Sequence, residues 1–326
     1  MLVIKLAKII IGSRGSKLAL WQAGWVRDAL SKLRPDLEIT LQVIKTEGDA
    51  RHDLSPGAFG REGIFTAELD RALLDRRIDL AVHSLKDLPT RLGQGLALAA
   101  VTERESIRDV FIITSERAEQ LGITKTTPAR EALARLPHGF KVGTSSLRRV
   151  MQLKYLFPKL EFAPLRGNLD TRLKKVAEGR ADAVVVAEAG LNRLGVGPRG
   201  HLFIQLTPDW YLPAAGQGAL AIESRSDDPA RAVAFLLEHA PTRAAVTAER
   251  TAMAALGAGC RVPAGFLATV DGERMSVSGV VGDPEGNKLI KADAEGKAAQ
   301  AEALGKALSD DLLRQGAGEI LKAVRG

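Results

Sequence analysis

Apolar positions in the first hundred residues alternate between two periods. "LAKIIIGS" (6–13) and "LEITLQVIKT" (37–46) are short and rich in β-branched residues, as strands are. Between them, "KLALWQAGWVRDALSKL" (17–33) brings apolar side chains back at helical spacing, which predicts an amphipathic helix. A glycine-rich loop, "SPGAFGREG", precedes a helix over "IFTAELDRALLDR" (64–76) and a strand opening at "RIDLAV". Strands separated by helices predict right-handed crossovers and a parallel sheet.

From about 105 to 205 the same syntax returns. "FKVGTSSLRRVMQLKYLF" repeats the strand, Gly-Ser/Thr turn and basic helix of "IIIGSRGSKLALWQ", and "GRADAVVVAEAGLNRLG" echoes "RRIDLAVHSLKDLP". The echo is too degenerate for a solenoid. It predicts two similar α/β domains, each presenting a strand-to-helix corner to a shared cleft. The last hundred residues differ: a helix over "TRAAVTAERTAMAALG", three strands within 265–296 joined by Gly-containing turns, and a helix over "AQAEALGKALSDDLLRQ". That is a small α+β domain, attached after "LPAAGQGALAIESRSDDPA".

Composition narrows the classes. The chain has 326 residues, 45% hydrophobic and 26% charged, which fits a soluble globular protein of two or three domains. The formal net charge of +7 favours anionic partners. Aromatics are only 4%, so the stacking platforms of a single-strand nucleic-acid binder are missing. The single cysteine, Cys260, excludes an intramolecular disulfide and points to a reducing compartment. The N-terminus, broken by Lys5 and Lys8, reads as a strand and not a leader, and no apolar run is long enough to span a bilayer. A cytoplasmic protein is expected.

Four stretches carry candidate chemistry. "GSRGSK" (12–17) leads into a helix, where backbone N–H groups attract an anion; the same serine at the same place also caps a helix, and the residues leave both readings open. "GTSSLRR" (143–149) is a second such corner, with Arg148 and Arg149 adjacent. Arg166 and Arg193 stand at predicted strand-end corners, with Arg172 nearby, and guanidinium groups grip carboxylates bidentately. In "HSLKDLPT" (83–90), a strand ends in a packet of polar groups. His83 by itself reads as a structural histidine, and five scattered histidines with one cysteine give no metal-ligand spacing. Asp87 beside Lys86 is a carboxylate that can be held ionised to steer protons and face a developing cation. For Cys260, in "GAGCRVPAG", a buried small hydrophobe and an exposed loop thiol beside Arg261 both remain open.

"IGSRGSKLALWQA", "HSLKDLPT", "VGTSSLRR", "LRGNLDTRL", "LPAAGQGALAIE" and "GCRVPAG" occur in one order from about residue 9 to 266. In that order they resemble the porphobilinogen deaminase (hydroxymethylbilane synthase) family. The resemblance implies an α/β fold: two periplasmic-binding-protein-like α/β domains around a cleft plus a small α+β C-terminal domain. Residues 1–104 and 206–225 would form domain 1, 105–205 domain 2 and 226–326 domain 3. It implies a transferase of tetrapyrrole and haem biosynthesis, monomeric, joining four porphobilinogen molecules head to tail with loss of ammonia. The chain would grow on a dipyrromethane cofactor held by a thioether to Cys260 and end with hydrolysis. Asp87 matches the catalytic aspartate. Arg14, Ser16, Lys86, Thr144, Ser145, Ser146, Arg148, Arg149, Arg166, Arg172 and Arg193 match positions that bind cofactor or substrate carboxylates, and Phe65 matches an aromatic near the substrate pyrrole. No metal, nucleic acid or membrane is implied. "REGIF" departs from a common Gly-Lys-Gly pattern by placing Glu62 there, and "GAGC" replaces the commoner "GGC". The competing class is an anion-binding protein of the same two-lobed architecture without turnover, which needs neither Cys260 nor the third domain.

Overall fold

A computed structural model describes residues 6–45, 66–257 and 262–325. The chain divides into two compact units, Met1–Glu105 with Gly218–Ala244 and Ser106–Gln217 with Ala245–Gly326.

In the first unit, β1 (Lys8–Ser13), β2 (Glu38–Val43), β3 (Leu80–Ser84), β4 (Leu96–Val101) and the late strand β10 (Leu220–Arg225) form one sheet in the order β2-β1-β3-β10-β4. Side-chain alternation along the strands gives the sheet two apolar faces. Helix α1 (Lys17–Leu33) covers one face, packing Val26 and Leu30 into the core that holds Ile9, Ile11, Leu80, Val82 and Ile222. Helix α2 (Ala67–Leu74) covers the other, where Leu69 and Leu73 join Ile78 and Ala81.

β1 runs parallel to β2 and β3, as the alternation of strands and helices predicts. β10 does not: it is antiparallel to both β3 and β4. The sheet is therefore mixed, a correction to the all-parallel expectation. The reason is connectivity. β10 arrives from the other unit and not over a helical crossover, so nothing obliges it to run with its neighbours.

The second unit repeats this plan. Strands β5 (Asp109–Thr114), β6 (Lys141–Gly143), β7 (Glu161–Ala163), β8 (Ala183–Ala187) and β9 (His201–Leu206) take the order β7-β6-β8-β5-β9, with β5 antiparallel to both of its neighbours. β5 occupies the position that β10 holds in the first sheet. The echo in the sequence is thus an echo in topology.

A separate antiparallel meander follows: β11 (Ala264–Asp271), β12 (Arg274–Gly282) and β13 (Leu289–Lys297). The helix Ala301–Arg314 lies on it, with Leu308 and Leu312 against Gly279. The same helix crosses the helix Ala240–Ala255 at Gly305, where an added Cβ would stand 2.3 Å from the Ala248 carbonyl oxygen. Only glycine permits that approach.

Candidate functional site

In each five-stranded sheet the chain order reverses beside the first of the parallel strands, between β1 and β3 and again between β6 and β8. Helices leave to opposite faces at such a point, and a crevice opens beyond the carboxyl ends of the strands. Most of the predicted site residues of the described chain lie at these ends.

In the first unit, β1 runs out at Ser13 and is followed by half-buried Arg14. The Ser16 hydroxyl accepts a hydrogen bond from the Ala19 amide at 3.3 Å and caps α1. The capping reading of that serine therefore holds, while the backbone at the corner still carries the positive end of a 17-residue helix. β3 ends at Ser84 and passes into a 3-10 turn, Leu85–Asp87. The turn is fixed from two sides. The Gln22 side-chain amide on α1, almost wholly buried, donates to Ser84 Oγ at 2.8 Å, and the Leu85 amide donates to the Ala219 carbonyl at 3.0 Å. Leu85 and Leu88 are buried, Lys86 is half-buried, and Asp87 is exposed. The three-residue spacing of Leu85 and Leu88 in the 3-10 turn takes both leucines inward and presents the carboxylate to solvent at the end of the central strand. His83, the residue before Ser84, is buried with its Nε2 3.1 Å from Glu223 Oε2.

In the second unit, Thr144–Ser146 join β6 to helix α3 (Leu147–Leu156). Thr144 Oγ1 accepts from the Ser146 amide at 3.2 Å, and Ser145 donates to the Leu165 carbonyl at 3.4 Å. The Ser146 hydroxyl makes no capping bond. Arg166 lies in the turn after β7. Gly167 follows it at φ +112°, with Thr171 Cγ2 2.7 Å from where a Cβ would stand, so no other residue fits the turn. Asn168 caps helix α4 (Leu169–Ala177), and on that helix Arg172 donates to the Gly167 carbonyl at 2.9 Å. Arg193 is half-buried in the last turn of helix α5 (Glu188–Leu194), which follows β8 directly. At the start of that helix burial opposes the Glu188 charge. Hydrogen bonds from Ser106, Arg108 and Gln205 outweigh it and hold the carboxyl below its usual range.

Arg148 and Arg149 are placed differently from a pair of open carboxylate binders. Both are about 5–6% exposed and converge on one buried carboxylate, Asp109. Arg148 donates to Asp109 Oδ2 at 2.7 Å and to the Leu212 carbonyl at 2.9 Å. Arg149 donates to both Asp109 oxygens, at 3.2 and 2.8 Å, and to the Val185 carbonyl at 2.8 Å. The Gln217 side chain adds a bond to Asp109 Oδ1 at 3.1 Å. Two guanidinium groups against one carboxylate leave the cluster with one positive charge, at the foot of the helix that Thr144–Ser146 introduce. The buried Tyr211 ring lies 5.7 Å from the Arg148 guanidinium carbon, and burial pushes its phenol well above the usual range.

Sequence reasoning missed Asp109. Its one signal is an acidic residue opening the apolar strand "DVFII" directly after Arg108. Gln22, Gln217 and Glu249 are further buried polar residues that went unread. The Glu249 carboxylate accepts the Gly216 amide at 2.7 Å and the Ala268 amide at 2.8 Å, tying the "LPAAGQG" loop to the meander. Phe65, Glu62, Cys260 and Arg261 lie outside the described residues.

Breaking the arginine cluster has a calculable direction. Asp109→Asn should destabilise the protein by about 3–5 kcal/mol, because removing one partner of a buried pair strands the other charges. Chemical denaturation checks this; a change below about 1 kcal/mol would mean that the cluster is solvated like a surface pair.

The chemistry of the donor set is uniform: guanidinium, ammonium, hydroxyl and backbone N–H groups, with Asp87 as the exposed carboxylate at a strand end. At the strand ends of each unit such donors suit the carboxylates of a ligand. The family model described as "Porphobilinogen deaminase, dipyromethane cofactor binding domain" matches residues 9–232, and "Porphobilinogen deaminase, C-terminal domain" matches 243–314. A relative named "Porphobilinogen deaminase" from Desulforudis audaxviator is 46% identical over 320 residues, covering 98% of each chain. One of the same name from Chromobacterium violaceum is 44% identical over 318 residues, 97% of this chain and 98% of its own.

Proposed function

The chain belongs to the porphobilinogen deaminase family, and we propose on that basis that it is a hydroxymethylbilane synthase, condensing four porphobilinogen molecules head to tail with loss of ammonia. The observation that carries the reading is an exposed aspartate at the carboxyl end of a central strand, within a chain matched by the family along nearly its whole length.

Asp87 is the catalytic group in this reading. The substrate's aminomethyl nitrogen departs as ammonia once protonated, and a carboxylate held at the strand end keeps that proton on the nitrogen. It then faces the cation left on the substrate methylene and takes up the proton released when the new carbon–carbon bond restores the pyrrole. Lys86, Arg14, Arg166, Arg172 and Arg193 hold acetate and propionate arms, with Thr144, Ser145 and Ser146 adding hydroxyl and N–H donors. Arg148 and Arg149 keep a net positive charge at the start of α3 while Asp109 fixes their orientation. Cys260 would hold a dipyrromethane cofactor through a thioether, and that group would supply the pyrrole carbon for chain extension. By its match to the family, Phe65 is the aromatic expected near the substrate pyrrole. The protein acts in the cytoplasm as a monomer; no helix among the described residues is long and apolar enough to cross a membrane. Domain 3, residues 226–326, carries the cysteine, domain 1 carries Asp87 on 1–104 with a returning segment at 206–225, and domain 2 is 105–205. In support, β10 at Leu220–Arg225 pairs with the first sheet and β9, ending at Leu206, with the second, whereas 206–217 group with the second compact unit and 226–244 with the first.

Incubation of the purified protein with porphobilinogen tests the assignment. An aldehyde reagent for free pyrrole reports substrate loss, and ammonia is measured alongside it. The expected result is four ammonia molecules per hydroxymethylbilane. Binding of porphobilinogen with no ammonia released would instead establish the anion-binding alternative.

A further inference from the structure

Behind the turn that carries Asp87 lies a group of ionisable side chains that the reaction as derived does not use. β10 pairs with β3 so that Ala221 opposes His83 and Glu223 opposes Ala81. His83 and Glu223 are thus diagonal neighbours on one face of the sheet, the face covered by α2. Both are buried, at 6% and 0% exposure. From α2, Asp70 comes up against Glu223, held by a 3.4 Å bond from the Thr66 hydroxyl.

The polar accounting here does not close. His83 Nε2 lies 3.1 Å from Glu223 Oε2, yet among the described residues neither atom sits in an aligned hydrogen bond. Glu223 Oε1 and Asp70 Oδ1 are likewise buried with no donor among the described residues. Buried acceptors without a donor are rare in folded proteins. Two facing carboxylates can satisfy each other only if a proton lies between them.

The other charged groups on the packed elements are Glu68 and Arg71 on α2, and Asp79 and Arg225 flanking β3 and within β10. Asp79 and Arg225 pair with each other at 3.2 Å. Burial and the charge of Glu223 push the Asp70 carboxyl up to about 6. The folded protein therefore binds this proton more tightly than the unfolded chain, whose carboxyl has a value of 3.8. The stability it contributes is complete below 3.8 and lost as pH rises through about 6.

We propose that His83, Glu223 and Asp70 form a single buried proton-sharing site that positions the Leu85–Asp87 turn. With the proton present, Glu223 shares it with Asp70 and its hold on His83 weakens. With the proton gone, Glu223 bears a full charge 3.1 Å from the imidazole and fixes the end of β3 from which Asp87 projects. His83 is a positioning residue here and does not touch substrate. The part that concerns turnover rests on the function proposed above; the part that concerns the proton does not.

Two readouts on the full-length holoenzyme separate these parts. The Asp70 side-chain carboxyl carbon and the amides of Leu85, Lys86 and Asp87 are followed by NMR against pH. They are expected to move together with a midpoint near 6, and in Asp70→Asn that common transition should disappear or shift by about one pH unit. In steady-state assays with porphobilinogen, kcat of the parent should fall as pH drops through the same midpoint, with KM unchanged, and the limb should shift in Asp70→Asn. His83→Gln should lower kcat roughly ten- to a hundred-fold, the cost of a small misplacement of a reacting group. Turn amides that ignore the transition, or an Asp70→Asn variant whose amide titrations superimpose on the parent's, would overturn the proposal. If the parent releases no ammonia, the functional assignment fails, while the NMR arm still decides the proton-sharing site.

Discussion

Asp87→Asn should leave the fold and its melting temperature intact and lower turnover by about 10²–10⁴-fold. The first half follows from how the turn is built. Its closure uses the Leu85 and Leu88 amides and the buried leucines, none of which involves the Asp87 carboxylate. The side chain is exposed, so neutralising it strands no buried partner. The second half follows from what an amide cannot do: asparagine fills the same volume but neither accepts a proton nor faces a cation with a full charge. The loss of a positioned proton-transfer group and the loss of an electrostatic partner act on the same step. Porphobilinogen consumption checks the rate, and a thermal melt checks the fold. Turnover within a few-fold of the parent would remove Asp87 from the chemistry and leave the strand end as an ordinary polar corner.

Cys260→Ser should abolish most activity, an effect as large as that at Asp87, and change the mass of the protein as well. A thioether to a pyrrolylmethyl carbon needs a soft nucleophile that becomes a thiolate, and Cys260 is the one cysteine of the chain. A serine hydroxyl is not activated in the same way and forms no comparable bond. Intact wild-type protein should weigh more than its sequence by two linked pyrrole units, carried on the peptide that contains Cys260. The Cys260→Ser protein should have its sequence mass. Fully active wild-type protein at the unmodified mass would contradict the covalent reading, whatever the outcome at Asp87.

The residues that can be read from sequence are those whose role is local. The strand over β1, the helix over α1 and the turn after β3 follow from spacing alone, and the doubled syntax of residues 9–100 and 140–195 reappears as two sheets of one topology. What spacing could not supply is partnership across the chain. Arg148 and Arg149 look like open cations beside a Gly-Ser/Thr turn, yet their counter-ion lies about 40 positions away at Asp109. His83 reads as structural, but Glu223 is reached only when β10 is paired against β3. The direction of β10 was illegible for the same reason. A strand's hydrophobic pattern is identical read either way, and only the path of the chain decides its orientation. Ser16 shows the converse: its cap is local, and the local reading of it stood.

The crossed connectivity of the two sheets has a consequence for how this protein is made. β10 lies between β3 and β4 in the first sheet but is synthesised more than a hundred residues after β4. Until then, β3 and β4 lack the neighbour that satisfies their facing backbone groups, and Leu80, Val82 and Ala100 lack the apolar partners Leu220 and Ile222. Such a gap is an open edge, with the hazard of pairing to the wrong chain. Closing it late places a long-range contact at the centre of the sheet, which slows folding. The N-terminal segment therefore waits, incomplete, while β5 to β9 emerge and can form a sheet without it. The turn bearing Asp87 is set only when the Ala219 carbonyl arrives to receive the Leu85 amide. In the order of synthesis, the strand end proposed for catalysis is among the last features of its unit to take shape.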